Sequence, residues 1–139
     1  MIKTITAREV EFVSHRLAQE ILSFNEPIPD YSTRYPGRLE SCLAAPFQTF
    51  RKKQLYSSLA SQASVLLYLL IKNHPFQNGN KRVAITTLMV FLHWNRKKLV
   101  VDTYELYKIT IWVAESPAKA KAQMIAFLEE YIRNNTANA

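Results

Sequence analysis

Glycine is scarce in this chain, two residues in 139 against six prolines, which argues against an all-β fold built on many tight turns. Long apolar runs are absent too: the longest, Val65–Ile71, is seven residues, far short of a membrane span. The N-terminal stretch Met1-Ile2-Lys3-Thr4-Ile5 has no signal-peptide apolar core, so the chain is expected in the cytoplasm, away from membranes. A single cysteine, Cys42, cannot form an intramolecular disulfide, and among Leu39, Leu43 and Ala44 it reads as a small buried apolar group.

What is present fits one compact domain, residues 1–139. The hydrophobic fraction of 48% is ordinary for a globular protein. A formal charge of +7 would suit nucleic acid, but the cations are scattered, with clusters only at Arg51-Lys52-Lys53 and Arg96-Lys97-Lys98. No nucleic-acid motif accompanies them. An acidic protein or a polyphosphate accounts for the excess equally well.

The periodicity predicts helices throughout. Thr6-Ala7-Arg8-Glu9 reads as a capping box, and Val10, Val13, Leu17 and Ile21 follow at helical spacing, giving a first helix over Ala7–Ser23. Asn25–Gly37, with Pro27, Pro29 and Pro36, reads as an extended loop. A short helix over Arg38–Ala45 should stop before Pro46. Phe47–Tyr56 reads as irregular or a small hairpin anchored by Phe50 and Tyr56. Ser57–Asn73 and Asn80–Trp94 are buried helices. A short extended piece, Leu99–Val101, leads to a helix over Thr103–Ala114. Ser116-Pro117 then opens a last helix with Ala120, Met124, Phe127, Leu128 and Tyr131 on one face. The fold class is all-α.

Between the two buried helices lies His74-Pro75-Phe76-Gln77-Asn78-Gly79-Asn80-Lys81-Arg82. Pro75 disfavours helix at His74 and should make it extended. Phe76 should turn inward, and Gly79 permits a left-handed turn. The first amides of the next helix can cradle a phosphate, with Lys81 and Arg82 adding charge and Arg able to grip two oxygens. Imidazole titrates near neutrality, which suits His74 to accepting a proton from an attacking hydroxyl. His15 and His93 read as structural, as do Tyr104, Tyr107 and Trp112.

This loop resembles the signature of the Fic/Doc superfamily, His-x-Phe-x-(Asp/Glu)-Gly-Asn, followed by Gly-Arg-x-x-Arg in Fic-type members and by Lys-Arg in Doc-type toxins. The match is His74, Phe76, Gly79, Asn80, Lys81 and Arg82. Pro36-Gly37-Arg38-Leu39-Glu40-Ser41 is similar to the segment ahead of the family's target-binding flap. The order of elements after the loop also follows Doc-type proteins.

The resemblance implies a Doc-type toxin that transfers a phosphate from ATP, with Mg²⁺, to a hydroxyl of a target protein. His74 would be the general base, with Arg82 and Lys81 as the other catalytic residues. Gly79, Asn80, Lys81 and Arg82 would hold the nucleotide, and Lys81 would set its orientation. The flap, Gln48, Arg51, Lys52 and Lys53 among its residues, would lay the target beside the site by backbone pairing. The implied target is a translation elongation factor, and the implied neutralising partner is a small antitoxin, since no (Ser/Thr)-x-x-x-Glu-(Gly/Asn) self-inhibitory segment is found. Asn78 stands where the family carries the Asp or Glu associated with Mg²⁺, so metal affinity should fall. Ile85 stands where Fic-type sites carry their second arginine. The alternatives are Fic-type AMP transfer and a catalytically silent Fic-fold binding protein.

Overall fold

The computed structural model describes residues 2–22 and 27–139. Among them the architecture is helical, with two small two-stranded sheets. The first helix begins at the expected capping box, Thr6 Oγ1 accepting the Glu9 N–H while Glu9 accepts the Thr6 N–H. It then runs as α1 (Ala7–Glu9), a π-helical turn at Val10–Ser14 and α2 (His15–Ile21). The expected terminus, Ser23, and the start of the proline loop at Asn25 lie outside the described residues.

The π turn corrects the predicted buried face. One extra residue per turn moves the fully buried positions to Ser14, Ala18 and Leu22, leaving Val13 and Ile21 exposed and Leu17 partly buried against the core. Ile21 is 53% exposed as a result. Small residues then face the next layer, and hydroxyls join it. Ser14 Oγ lies 2.9 Å from Thr87 Oγ1, and Thr86 Oγ1 donates to the Ser14 carbonyl at 2.9 Å.

The centre is the pair α4 (Leu59–Lys72) and α5 (Asn80–Trp94). Ser58 caps α4 by accepting the Ser61 N–H. Both helices are buried around most of their circumference: Leu66, Leu67, Leu70, Ile71, Leu88 and Phe91 are almost wholly inaccessible. One core links them to Ile5 at one end of the chain and Ile132 at the other. Cys42 belongs to it, its thiol pushed up in pKa by burial, as the sequence suggested.

Several boundaries differ from expectation. Helix α3 (Arg38–Ala44) ends before Pro46, one residue short of expectation, and the chain continues into a 3₁₀ turn, Ala45–Phe47, which a proline near its start can join. The proline loop holds a 3₁₀ turn at Tyr31–Thr33, with Tyr31 buried. The hairpin forms as β1 (Thr49–Phe50) and β2 (Lys53–Gln54), its tip residues Arg51 and Lys52 both at positive φ. That is the backbone a two-residue hairpin turn requires. Phe50 is 63% exposed and anchors nothing, whereas Tyr56 is half-buried.

Strand β3 is Lys97–Leu99, two residues earlier than read, because it pairs with an unexpected C-terminal strand, β4 (Thr136–Asn138). Helix α6 is Thr103–Glu115. Its last carbonyls are not left to water: Lys72 Nζ donates to the Ala114 and Ser116 carbonyls. Pro117 is extended and precedes a 3₁₀ turn, Ala118–Ala120, so α7 begins later than predicted, at Lys121, and ends at Asn134. Its buried stripe is Leu128 and Ile132, while Phe127 is 41% exposed, meeting Trp112 edge-to-face and stacking on Tyr131.

Removing the ring that Phe47 packs against edge-on, in Phe91→Ala, should cost about 3–5 kcal/mol of stability. Urea unfolding of the variant beside the wild type measures it.

Candidate functional site

Helix α4 ends by turning its next residue left-handed: His74 has φ +46°. This corrects the extended backbone expected before Pro75. A left-handed residue after the C-cap is a common helix ending, and histidine tolerates it better than most side chains. Neighbouring groups hold it there. Arg38 Nη1 donates to the His74 carbonyl at 3.2 Å, and the Tyr35 N–H donates to the Pro75 carbonyl at 2.9 Å. The Pro36–Ser41 segment thus gains a physical role as the buttress of the loop.

Beyond Pro75 the chain is closed by Asn80. Its Oδ1 accepts the Phe76 N–H at 2.8 Å and its Nδ2 donates to the Phe76 carbonyl at 2.9 Å. Of the two hydrogens on Nδ2, the Phe76 carbonyl takes one. Asn80, expected on the phosphates, is therefore first a loop-closing residue. Phe76 is buried as predicted, its ring 5.2 Å from that of His15 and 6.0 Å from that of Tyr31.

Gly79 has φ +77° and is the N-cap of α5. A Cβ there would lie 2.9 Å from Ile28 Cγ1, so both space and backbone demand glycine. The first helical bond of α5 runs from the Val83 N–H to the Gly79 carbonyl at 2.9 Å. The amides of Asn80 and Lys81 lie upstream of it, at the positive end of a 15-residue helix.

A cavity of about 290 Å³ opens at this point, lined by His74, the run Gln77–Arg82 and Tyr107. The structure therefore gathers His74, Asn78, Gly79, Asn80, Lys81 and Arg82 on one wall. Arg82 is 3% exposed, and its Nη1 donates to the Leu22 carbonyl at 3.2 Å. Among the described residues Tyr107, a packing residue by sequence, is the one that lines the cavity from outside the loop. Helical periodicity could not have found it, because the approach of α6 to the α5 N-terminus is a long-range fact. A larger groove of about 990 Å³ runs between Tyr56 and α7, lined by side chains of both charges. It contains none of the loop.

The flap residues Gln48, Arg51, Lys52 and Lys53 line neither space and are solvent-exposed. The Leu55 N–H donates to the Gln48 carbonyl, which leaves Thr49 and Gln54 as a pair whose backbone groups point outward from the hairpin.

Among the described residues no carboxylate lines the cavity. Among the described residues no three His, Cys, Asp or Glu side chains gather as a metal site. Asn78, the expected metal residue, uses its Oδ1 to accept the Gly79 N–H at 2.8 Å. The donor set therefore does not fit a protein-held Mg²⁺, which takes mainly carboxylate oxygens, water and substrate phosphates.

Beneath the loop, His15 is 2% exposed and its Nε2 has no partner, while its other nitrogen is held by the Pro29 carbonyl. Burial lowers its pKa below the ordinary 6.5, against smaller opposing effects of Pro29, Asp30 and Glu11.

A sequence model of the Fic/DOC family matches residues 4–92. The chain is also 36% identical over 66 residues to a protein named Toxin Doc from Mycolicibacterium smegmatis, a match covering 48% of this chain and 51% of that protein. It thus spans about half the length of that relative.

Two consequences follow for stability. Gly79→Ala should destabilise the fold by about 1–3 kcal/mol, read by chemical denaturation, since it adds both a left-handed alanine and a clash with Ile28. His15 binds a proton more readily unfolded than folded. Stability should therefore fall as pH drops below 6.5, with a slope of at most about 1.4 kcal/mol per pH unit from this group. Denaturation at pH 7.5, 6 and 5 should show that slope, and His15→Asn should flatten it while retaining a donor toward Pro29.

Proposed function

This chain belongs to the Fic/DOC family, and from that premise we propose that it is a Doc-type toxin, a kinase acting on a hydroxyl of a target protein. One observation carries the reading: His74 shares a cavity with Lys81, Arg82 and the N-terminus of a buried helix. A base and an anion cradle within one small space suit attack of a hydroxyl on a phosphoryl group.

The triphosphate of ATP would rest against the first-turn amides of α5, with Lys81 and Arg82 countering its charge. The target hydroxyl attacks the terminal phosphorus as His74 takes its proton. The bond from that phosphorus to the bridging oxygen breaks, and ADP leaves. Lys81 favours terminal transfer over AMP transfer, because a cationic side chain stands where Fic-type sites have glycine and takes up space along that nucleotide path. Any Mg²⁺ would come chelated by the phosphates, since Asn78 adds no charge. The outward backbone groups of Thr49 and Gln54 suit a target segment added as an extra strand. The implied target, a translation elongation factor, the implied antitoxin and a cytoplasmic site of action all rest on family resemblance. No helix among the described residues is long and apolar enough to cross a membrane.

The second reading is a silent Fic-fold binding protein, favoured by the missing carboxylate at Asn78. Label transfer into bacterial lysate, with Mg²⁺ and γ- or α-labelled ATP, separates them. The kinase reading expects γ-label on a protein band and its loss in His74→Ala, by at least a hundredfold for a general base. α-Label on protein would mean AMP transfer. Toxicity that survives His74→Ala with no label transferred would establish the silent reading.

A further inference from the structure

The geometry points to Tyr107 as the platform on which the nucleobase of the bound nucleotide rests, making it a specificity-determining residue of the site. This inference rests on the nucleotide-dependent transfer reading and adds to it the place where the base is recognised.

The loop supplies histidine, amide and cationic groups to the cavity, and among the described residues Tyr107 supplies the one phenol ring that lines it. Those loop groups account for phosphates and for a proton. None of them offers a flat apolar surface to a purine. The volume, about 290 Å³, lies at the small end of ligand sites, which run from roughly 300 Å³ upward. It therefore holds the phosphate end of a nucleotide, and the base must extend past the loop groups onto another part of the lining. Among the described residues that part is Tyr107.

The ring is also held in advance. Tyr107 packs against the buried cluster of Leu22, Ile85 and Leu106, and the Thr110 hydroxyl donates to its carbonyl at 2.6 Å. Asp102 caps the helix it stands on, accepting the Tyr104 N–H. A ring seated in this way loses little freedom when a base stacks on it. Ile85 occupies the position where the Fic-type signature carries its second arginine, and here it is a fully buried part of the seat for Tyr107. The exchange removes a cation from the phosphate side of the site and provides an apolar support for an aromatic ring.

Calorimetric titration of the full chain with ATP and with inorganic tripolyphosphate, both with Mg²⁺, tests this. Tyr107→Phe keeps the ring, and Tyr107→Leu keeps only the packing. The platform predicts that Tyr107→Leu weakens ATP about tenfold, as loss of one base–aromatic stack does. Tyr107→Phe should bind ATP as the wild type does, and tripolyphosphate should bind all three proteins equally. Equal weakening of both ligands in Tyr107→Leu would make the residue a support of the loop and overturn the platform. So would an unchanged ATP affinity in that variant, or a wild type that binds tripolyphosphate as tightly as ATP. A wild type that binds neither ligand would overturn the nucleotide reading and the platform with it.

Discussion

The side-chain amide of Asn80 closes on both backbone groups of Phe76, and the geometry of the loop depends on that closure. It fixes five residues into a tight turn between two helices that the core has already placed. With the turn closed, Phe76 points down against His15 and Tyr31. Gly79 reverses the chain, and the first amides of α5 are left at the surface of the cavity. A ring buried on one side and a helix N-terminus exposed on the other are two results of the same pair of hydrogen bonds. His74 is set from the other end, by Arg38 and by the backbone of Tyr35.

Electrostatics then decides what such a loop can hold. Among the described residues the cavity wall carries Lys81 and Arg82 and no carboxylate, so this part of the site favours anions over a divalent cation. Arg82 is buried where its guanidinium also donates to the Leu22 carbonyl, so charge placement and helix packing are joined in one residue. The first helix reaches the same region through its π turn. By shifting its inward face one position, that turn brings His15 under Phe76 and the Ser14 hydroxyl beside Thr87.

Much of the site is local in sequence, which is why it could be read there. His74 to Arg82 span nine residues, and glycine and the helix start impose their own geometry on them. The burial of Phe76, the left-handed Gly79 and the full extent of α5 all follow from short-range chemistry. The errors have physical causes as well. A 3.6-residue repeat places Val13 and Ile21 inward, and a π turn breaks that repeat and exposes both. His74 was read as extended from its proline neighbour, yet tertiary hydrogen bonds hold it left-handed. Asn80 carries a loop-closing role that its place in the motif does not reveal, one Nδ2 hydrogen and Oδ1 both being engaged by Phe76. Phe50, read as an anchor from its hydrophobicity, is left in solvent by a hairpin too short to bury it.

The sequence by itself determined the helical class, the two buried central helices and the chemistry of the loop between them. Each depends on residues within a few turns of one another. Only the tertiary structure decided that Tyr107 forms part of the cavity, that Arg38 braces His74 and that the C-terminal strand returns to pair with Lys97–Leu99. Those contacts join segments about 25 to 40 residues apart, and no local periodicity encodes such a distance. They arise when burial of the α4–α5 pair brings the outer helices against it, so that chain packing and not local preference chooses the neighbours.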